Sequence, residues 1–195
     1  MTISIEDHSQ ALLELLWVRE TWSLEPIGDE PGPLIDGPEG ANTPSDVAEW
    51  SEAWSTLWEG ALAVAAQPLD ASAMDSLQAS AAGSSEHAEL LARLTGPTWR
   101  GRFGGQALEA GFSEWSQRQF EKIWPPRHTA AESPERLSLD ALVPAWRAGL
   151  ERVVTIPCRA EHTRVVGTSG LLVTDGTRED PALYAEALGV FSASR

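Results

Sequence analysis

The sequence predicts an α+β fold: a mainly helical body, a small C-terminal antiparallel β-sheet and a closing helix. Three observations carry this. Apolar residues recur at three- and four-residue intervals up to about residue 150. Beyond it come three short β-branched runs, Val153-Val154-Thr155-Ile156, Thr163-Arg164-Val165-Val166 and Leu171-Leu172-Val173-Thr174. Asp180-Pro181 then opens a final helical repeat through Leu183, Tyr184, Ala187 and Leu188. The chain reads as a single domain over 1–195, its helical part about 9–150 and its β-containing part about 151–195.

Taken in order, Ser9 caps a first helix to about Thr21, with Leu12, Leu13, Leu16 and Trp17 on one side. Residues 25–45 hold five Pro, four Gly and five acidic residues, which excludes regular structure and predicts an acidic loop or linker. Thr43-Pro44-Ser45-Asp46 is a helix start, and the helix it opens runs to about Gln67, where Pro68 ends it. Val47, Trp50, Trp54, Leu57, Trp58, Ala61 and Leu62 form its apolar stripe, and Glu49, Glu52 and Glu59 lie off it. Two Ala/Ser-rich helices follow at 70–82 and 85–95, closed by Gly96-Pro97. Leu108, Phe112, Trp115, Phe120 and Ile123 or Trp124 mark another amphipathic helix, stopped by Pro125-Pro126. Residues 127–137 read as loop, and a helix near 139–150 needs Pro144 near its first turn.

Charge is distributed unevenly along this frame. The first 90 residues carry 17 carboxylates and one basic residue, Arg19, whereas the other 105 hold 13 basic and 12 acidic residues, for a net charge of −15. Such a split predicts an acidic surface that meets a partner or is answered from within by the Arg-rich second half. Arg100, Arg102, Arg118, Arg127 and Arg147 are the expected internal neutralisers. Nine Trp residues add large apolar surfaces whose indole N–H groups need partners, so a real core is expected despite the charge.

Several classes of chemistry fail on residue pattern. One cysteine, Cys158, rules out an intramolecular disulfide framework and a Cys-rich zinc site. Cys158 and His162 flank a predicted loop, and His8, His87 and His128 have no ligand spacing. Gly167-Thr168-Ser169-Gly170 lacks the last Gly of a nucleophile elbow and joins two strands, which predicts a hairpin turn. The oxygens of Asp175 to Asp180 lack the alternation of a calcium loop and read as a turn and helix cap. Trp99-Arg100-Gly101-Arg102-Phe103 interleaves Arg with aromatics, yet one copy in an acidic chain makes nucleic acid an unlikely partner. Trp58-Glu59-Gly60 is similar to the Trp-x-Gly motif of small secreted helical-hairpin proteins. It sits inside a helix rather than a turn, and Leu188 follows Tyr184 where their tail has an acidic residue.

The function expected from the sequence is therefore a cytoplasmic acidic protein-binding module: an adaptor, chaperone or inhibitor meeting a basic protein partner. Asp29, Glu30, Asp36, Glu39, Glu49, Glu52 and Glu59 are its candidate acidic residues, with Trp50, Trp54 and Trp58 as candidate aromatic anchors. Core packing is the stronger expectation for the Trp ladder. No membrane association, metal or cofactor is expected, and the balance leans away from an enzyme. The rival classes are a small hydrolase-like enzyme, using Asp175, Glu179 or Asp180 with His162 or Cys158, and a structural subunit of a larger assembly. A concave pocket holding an imidazole or carboxylate favours the enzyme; an open acidic surface without one favours binding.

Overall fold

A computed structural model describes residues 2–26, 28–38, 47–68, 71–108, 111–123 and 132–195. The α+β architecture with a helical body is present: ten α-helices among the described residues accompany one four-stranded sheet. The strands are β1 (Ser4–Asp7), β2 (Arg152–Ile156), β3 (Thr163–Val166) and β4 (Gly170–Thr174), in the order β1-β2-β4-β3.

The sheet is mixed rather than antiparallel. β1 runs parallel to β2 and β2 parallel to β4, and only the β3–β4 hairpin is antiparallel. The reason lies in the residues. β2 and β4 are buried at every position. Val153, Leu171 and Val173 face one core while Val154, Ile156 and Leu172 face the other. Strands covered on both sides read as unbroken apolar runs, the pattern of inner parallel strands. β1, which sequence periodicity missed, is a short polar edge strand whose acids bond to its neighbour: Glu6 to Arg152, and Asp7 to Thr155 at 3.0 Å. Gly167, at φ 56°, supplies the left-handed residue of the expected hairpin turn.

Helix α1 (Gln10–Thr21) begins where Ser9 predicts, although the Ser9 side chain makes no capping bond. It is buried almost all round rather than on one side, with Ala11, Leu15 and Val18 enclosed as well as the expected face. That is the signature of a central helix. Against it lies α2 (Val47–Ala65), from which Trp54 and Trp58 are stacked at 5.1 Å in the core, and Trp54 Nε1 donates to the Leu15 carbonyl at 2.6 Å. The predicted start at Thr43 to Asp46 lies outside the described residues. Described residues of the acidic loop are fastened down. Buried Arg19 donates to the carbonyls of Pro31 and Gly32 at 2.7 and 2.8 Å, Leu34 N donates to Glu20, and Ile35 N donates to Pro157 O at 2.8 Å.

The two small helices appear as α3 (Ala71–Ala79) and α4 (Ser85–Thr95), with Ser84 capping α4 and Gly96 at φ 74° ending it. The Arg-rich segment is a short helix, α5 (Trp99–Phe103), capped by Thr98 with Trp99 fully buried, followed by a 3-10 turn at Gln106–Leu108. α6 (Phe112–Ile123) follows, but Phe120 is 56% exposed instead of packed inward. Trp124, Pro125 and Pro126 lie outside the described residues. Residues 134–137, expected as loop, form a helical turn, α7 (Pro134–Leu137), because Ser133 caps it and Pro134 presets its first position.

Helix α8 (Leu139–Arg147) holds Pro144 inside it rather than in its first turn, at the loss of one bond to the Asp140 carbonyl, and ends three residues later. α9 (Asp175–Glu179) and α10 (Pro181–Ala193) follow β4 directly. Thr174 caps the first, and Asp180 caps the second by accepting from Ala182 N and Leu183 N at 2.8 and 3.2 Å. α10 and α8 pack through Leu142, Ala145, Tyr184, Leu188 and Phe191 over the sheet face opposite α1 and α2. The sheet is thus covered on both sides, and what remains open is its ends.

Candidate functional site

The acidic first half is answered in part from within. Five cations of the second half pair with its carboxylates: Arg100 with Glu14 at 3.5 Å, Lys122 with Asp36 at 2.9 Å, Arg152 with Glu6, Arg164 with Glu59 at 2.7 Å, and Arg178 with Asp7 at 3.4 Å. Of the neutralisers expected from sequence, only Arg100 makes such a pair. Arg102 lies over the Phe103 ring, Arg118 acts on Asp36 without touching it, Arg147 forms no ion pair and Arg127 lies outside the described residues.

The candidate acids therefore divide. Glu59 is committed bidentately to Arg164, at 2.7 and 2.8 Å. Asp36 is exposed, and the hydrogen bond from Lys122 holds its carboxyl below the usual range. Glu30 is half-buried, and burial pushes its carboxyl up against the field of Arg19. Asp29 is exposed beside His162 and Arg164. Glu49 and Glu52 are exposed on α2 without an ion-pair partner, and Glu39 lies outside the described residues. Trp54 and Trp58 are 0% and 1% exposed, which leaves them no surface to offer a partner. Trp50 is half-buried among Trp22, Trp99 and Phe103.

A different constellation opens at the carboxyl ends of the parallel strands, where ligands bind in open sheets of this kind. β1 ends at Asp7 and is followed by His8; β4 ends at Thr174 and is followed by Asp175. The two reach across the end of β2, and His8 N donates to Thr155 O at 3.3 Å. His8 Nε2 lies 3.0 and 2.8 Å from the two oxygens of Asp175. The His8 side chain is only 5% exposed, and its Nδ1 is buried with no hydrogen-bond partner. Its backbone sits in the left-handed region, at φ 56°. A non-glycine residue there costs on the order of 1–3 kcal/mol and persists where the surroundings fix it.

His8 helps line a cleft of about 550 Å³ together with Asp7, Leu13, Ser116, Phe120 and Glu179. An adjoining hollow of about 340 Å³ shares His8 and continues past Asp175 and Lys122. Arg178 stands in the wall, donating from Nε to Glu135 at 2.8 Å and from Nη1 to Asp7 at 3.4 Å. One ring nitrogen of His8 is thus fixed by a carboxylate while the other keeps an unsatisfied lone pair or proton. That leaves a buried imidazole in the cleft wall with one ring nitrogen unpaired.

Cys158 and His162 line neither hollow. Cys158 is 2% exposed, and burial pushes its thiol up to about 12, so it supplies no thiolate near neutral pH. His162 is half-buried, its proton affinity lowered by burial, and its Nε2 is likewise buried without a partner. Asp180 is occupied as a helix cap. Of the carboxylates named for the rival enzyme, Glu179 lines the cleft and Asp175 the adjoining hollow, and it is Asp175 that meets His8. No group of three or more His, Cys, Asp or Glu among the described residues is placed to hold a metal ion. No helix among them is long and apolar enough to cross a membrane. No protein-family model, curated protein or solved structure matches the chain.

Proposed function

We propose that the protein binds a small organic molecule in the cleft between β1, α6 and α9, against the wall that holds His8 and Asp175. The observation that carries this reading is the buried, unpartnered Nδ1 of a ring whose Nε2 is held by Asp175. In the neutral ring Nε2–H donates to the carboxylate and Nδ1 accepts. The test is histidine-labelled NMR of the full chain against a set of small aromatic compounds bearing one hydroxyl, amine or carboxylate. Some of them should move the His8 signals, and Ser116→Trp, which fills the cleft from α6, should abolish the response. A His8 signal indifferent to every compound, or moved equally in Ser116→Trp, would overturn the reading.

A second reading, the acidic protein-binding module, keeps one observation in its favour. Glu49, Glu52, Asp75, Glu86 and Glu89 are all exposed on α2, α3 and α4 without ion-pair partners, and no Lys or Arg occurs between Arg19 and Arg93. A basic protein partner would associate fast and with a steep salt dependence. Affinity capture at low and high salt tests it, with Glu49→Lys/Glu52→Lys as the control. A partner held equally by that variant would exclude this face.

A further inference from the structure

We infer that the ligand of the cleft is an organic cation, a free amine carried on an apolar body. The inference rests on the cleft being a ligand site, and it follows from the charges left unspent there. The two cations of the wall are committed: Arg178 gives Nε and Nη1 to Glu135 and Asp7, and Lys122 gives its ammonium to Asp36 and to Gln119 Oε1, at 2.9 and 3.3 Å. Glu179 is exposed at the rim with no partner. Asp7 and Asp175 are committed in the same way, Asp7 to Arg178 and Thr155 and Asp175 to His8, so the lining charge left without a partner among the described residues is that of Glu179.

Apolar surface completes the fit. Leu13 lies on the wall, and the exposed Phe120 ring at the rim presents the negative face that attracts cations. The whole chain, at net charge −15, raises the local concentration of any cation.

Three near-isosteric probes test it: phenethylamine, 2-phenylethanol and phenylacetate. Each is titrated into the full chain at low salt and neutral pH, with binding read by calorimetry and by the His8 NMR signals. Phenethylamine should bind about tenfold more tightly than the alcohol, and phenylacetate weakest. Glu179→Gln should cut the amine preference about threefold and leave the alcohol unchanged. Nα-acetyl-lysine methylamide, the mimic of a protein lysine, should bind more weakly than phenethylamine; tighter binding would overturn the free-amine assignment in favour of a partner's side chain. An alcohol or carboxylate that binds as tightly as the amine overturns the ligand class and leaves the cleft standing. If none of the four moves the His8 signals, the cleft itself fails as a ligand site and the inference fails with it.

Discussion

Glu6, Asp7 and Glu14 carry the same charge as Glu49, Glu52 and Glu89 and come from the same acidic half, yet the chain treats the two groups differently. The first three lie against the sheet or the central helix, and each is met by an arginine from the second half: Arg152, Arg178 and Arg100. The second three stand exposed on α2 and α4, outside the ion pairs that join the two halves. Removing a charge from water costs several kcal/mol unless it is paired, whereas an exposed carboxylate costs almost nothing. A single figure of −15 therefore conceals two roles. One set of acids joins the ends of the chain, and the other remains on the surface.

Helix α2 contains the sharpest version of this contrast, and the largest effect belongs to its inner face. Trp54→Ala, which empties a fully buried site and removes the bond to Leu15, should cost about 3–5 kcal/mol in urea denaturation. Next comes the joined set. Arg152→Met leaves Glu6 half-buried without its cation and strips a donor from the Ala65 carbonyl, and should cost about 2 kcal/mol. Loss below 0.5 kcal/mol there would erase the distinction between the two groups.

Glu14 sharpens the comparison through pH. Burial pushes its carboxyl up, the exposed Arg100 opposing this only in part, and Glu14 Oε2 has no partner. A carboxyl raised above its unfolded value binds more protons folded than unfolded, so its contribution improves as pH falls through the folded pKa. Glu14→Gln should accordingly stabilise the protein by up to about 1 kcal/mol at pH 7.5. That gain should vanish near pH 4, in paired thermal melts. The smallest effect is that of Glu49→Gln/Glu52→Gln, within about 0.5 kcal/mol of the parent. A larger loss would mean that the outer face also holds the fold.

How much of this was legible in the sequence depended on the range of the signal. α1, α2, α4 and α10 follow from repeats and caps that act within four residues: both ends of α1 and α4, the end of α2 and the start of α10 fall close to expectation. The sheet was read only locally. Its C-terminal strands and hairpin turn appear as expected, but the direction of β2 against β4 depends on cover from helices on both faces, which the unbroken apolar runs signal only weakly. β1 escaped because its alternation, Ile3-Ser4-Ile5-Glu6, offers only two apolar residues and stands far from the other strands in the chain. The cleft was half legible. Asp175 and Glu179 stood out as clustered oxygens, whereas His8 resembled a stray histidine because its partner lies 167 residues away. No pattern within a window of the chain encodes that distance.

The pairing of β1 with β2 also sets a timetable. Ser4 lies opposite Arg152, and their side chains bond across 148 residues. At about 5–20 residues per second, a ribosome needs roughly 7–30 s to make that much chain. Throughout this interval β1 has no neighbour to pair with, and the apolar flanks of α1 that face the sheet have only α2 and the later helices for cover. The contact of His8 with Asp175 waits on 175 residues of chain. A chain released at residue 150 would hold all nine tryptophans but lack Asp175, Arg178 and Glu179, so ligand binding should report completed synthesis more faithfully than tryptophan fluorescence does.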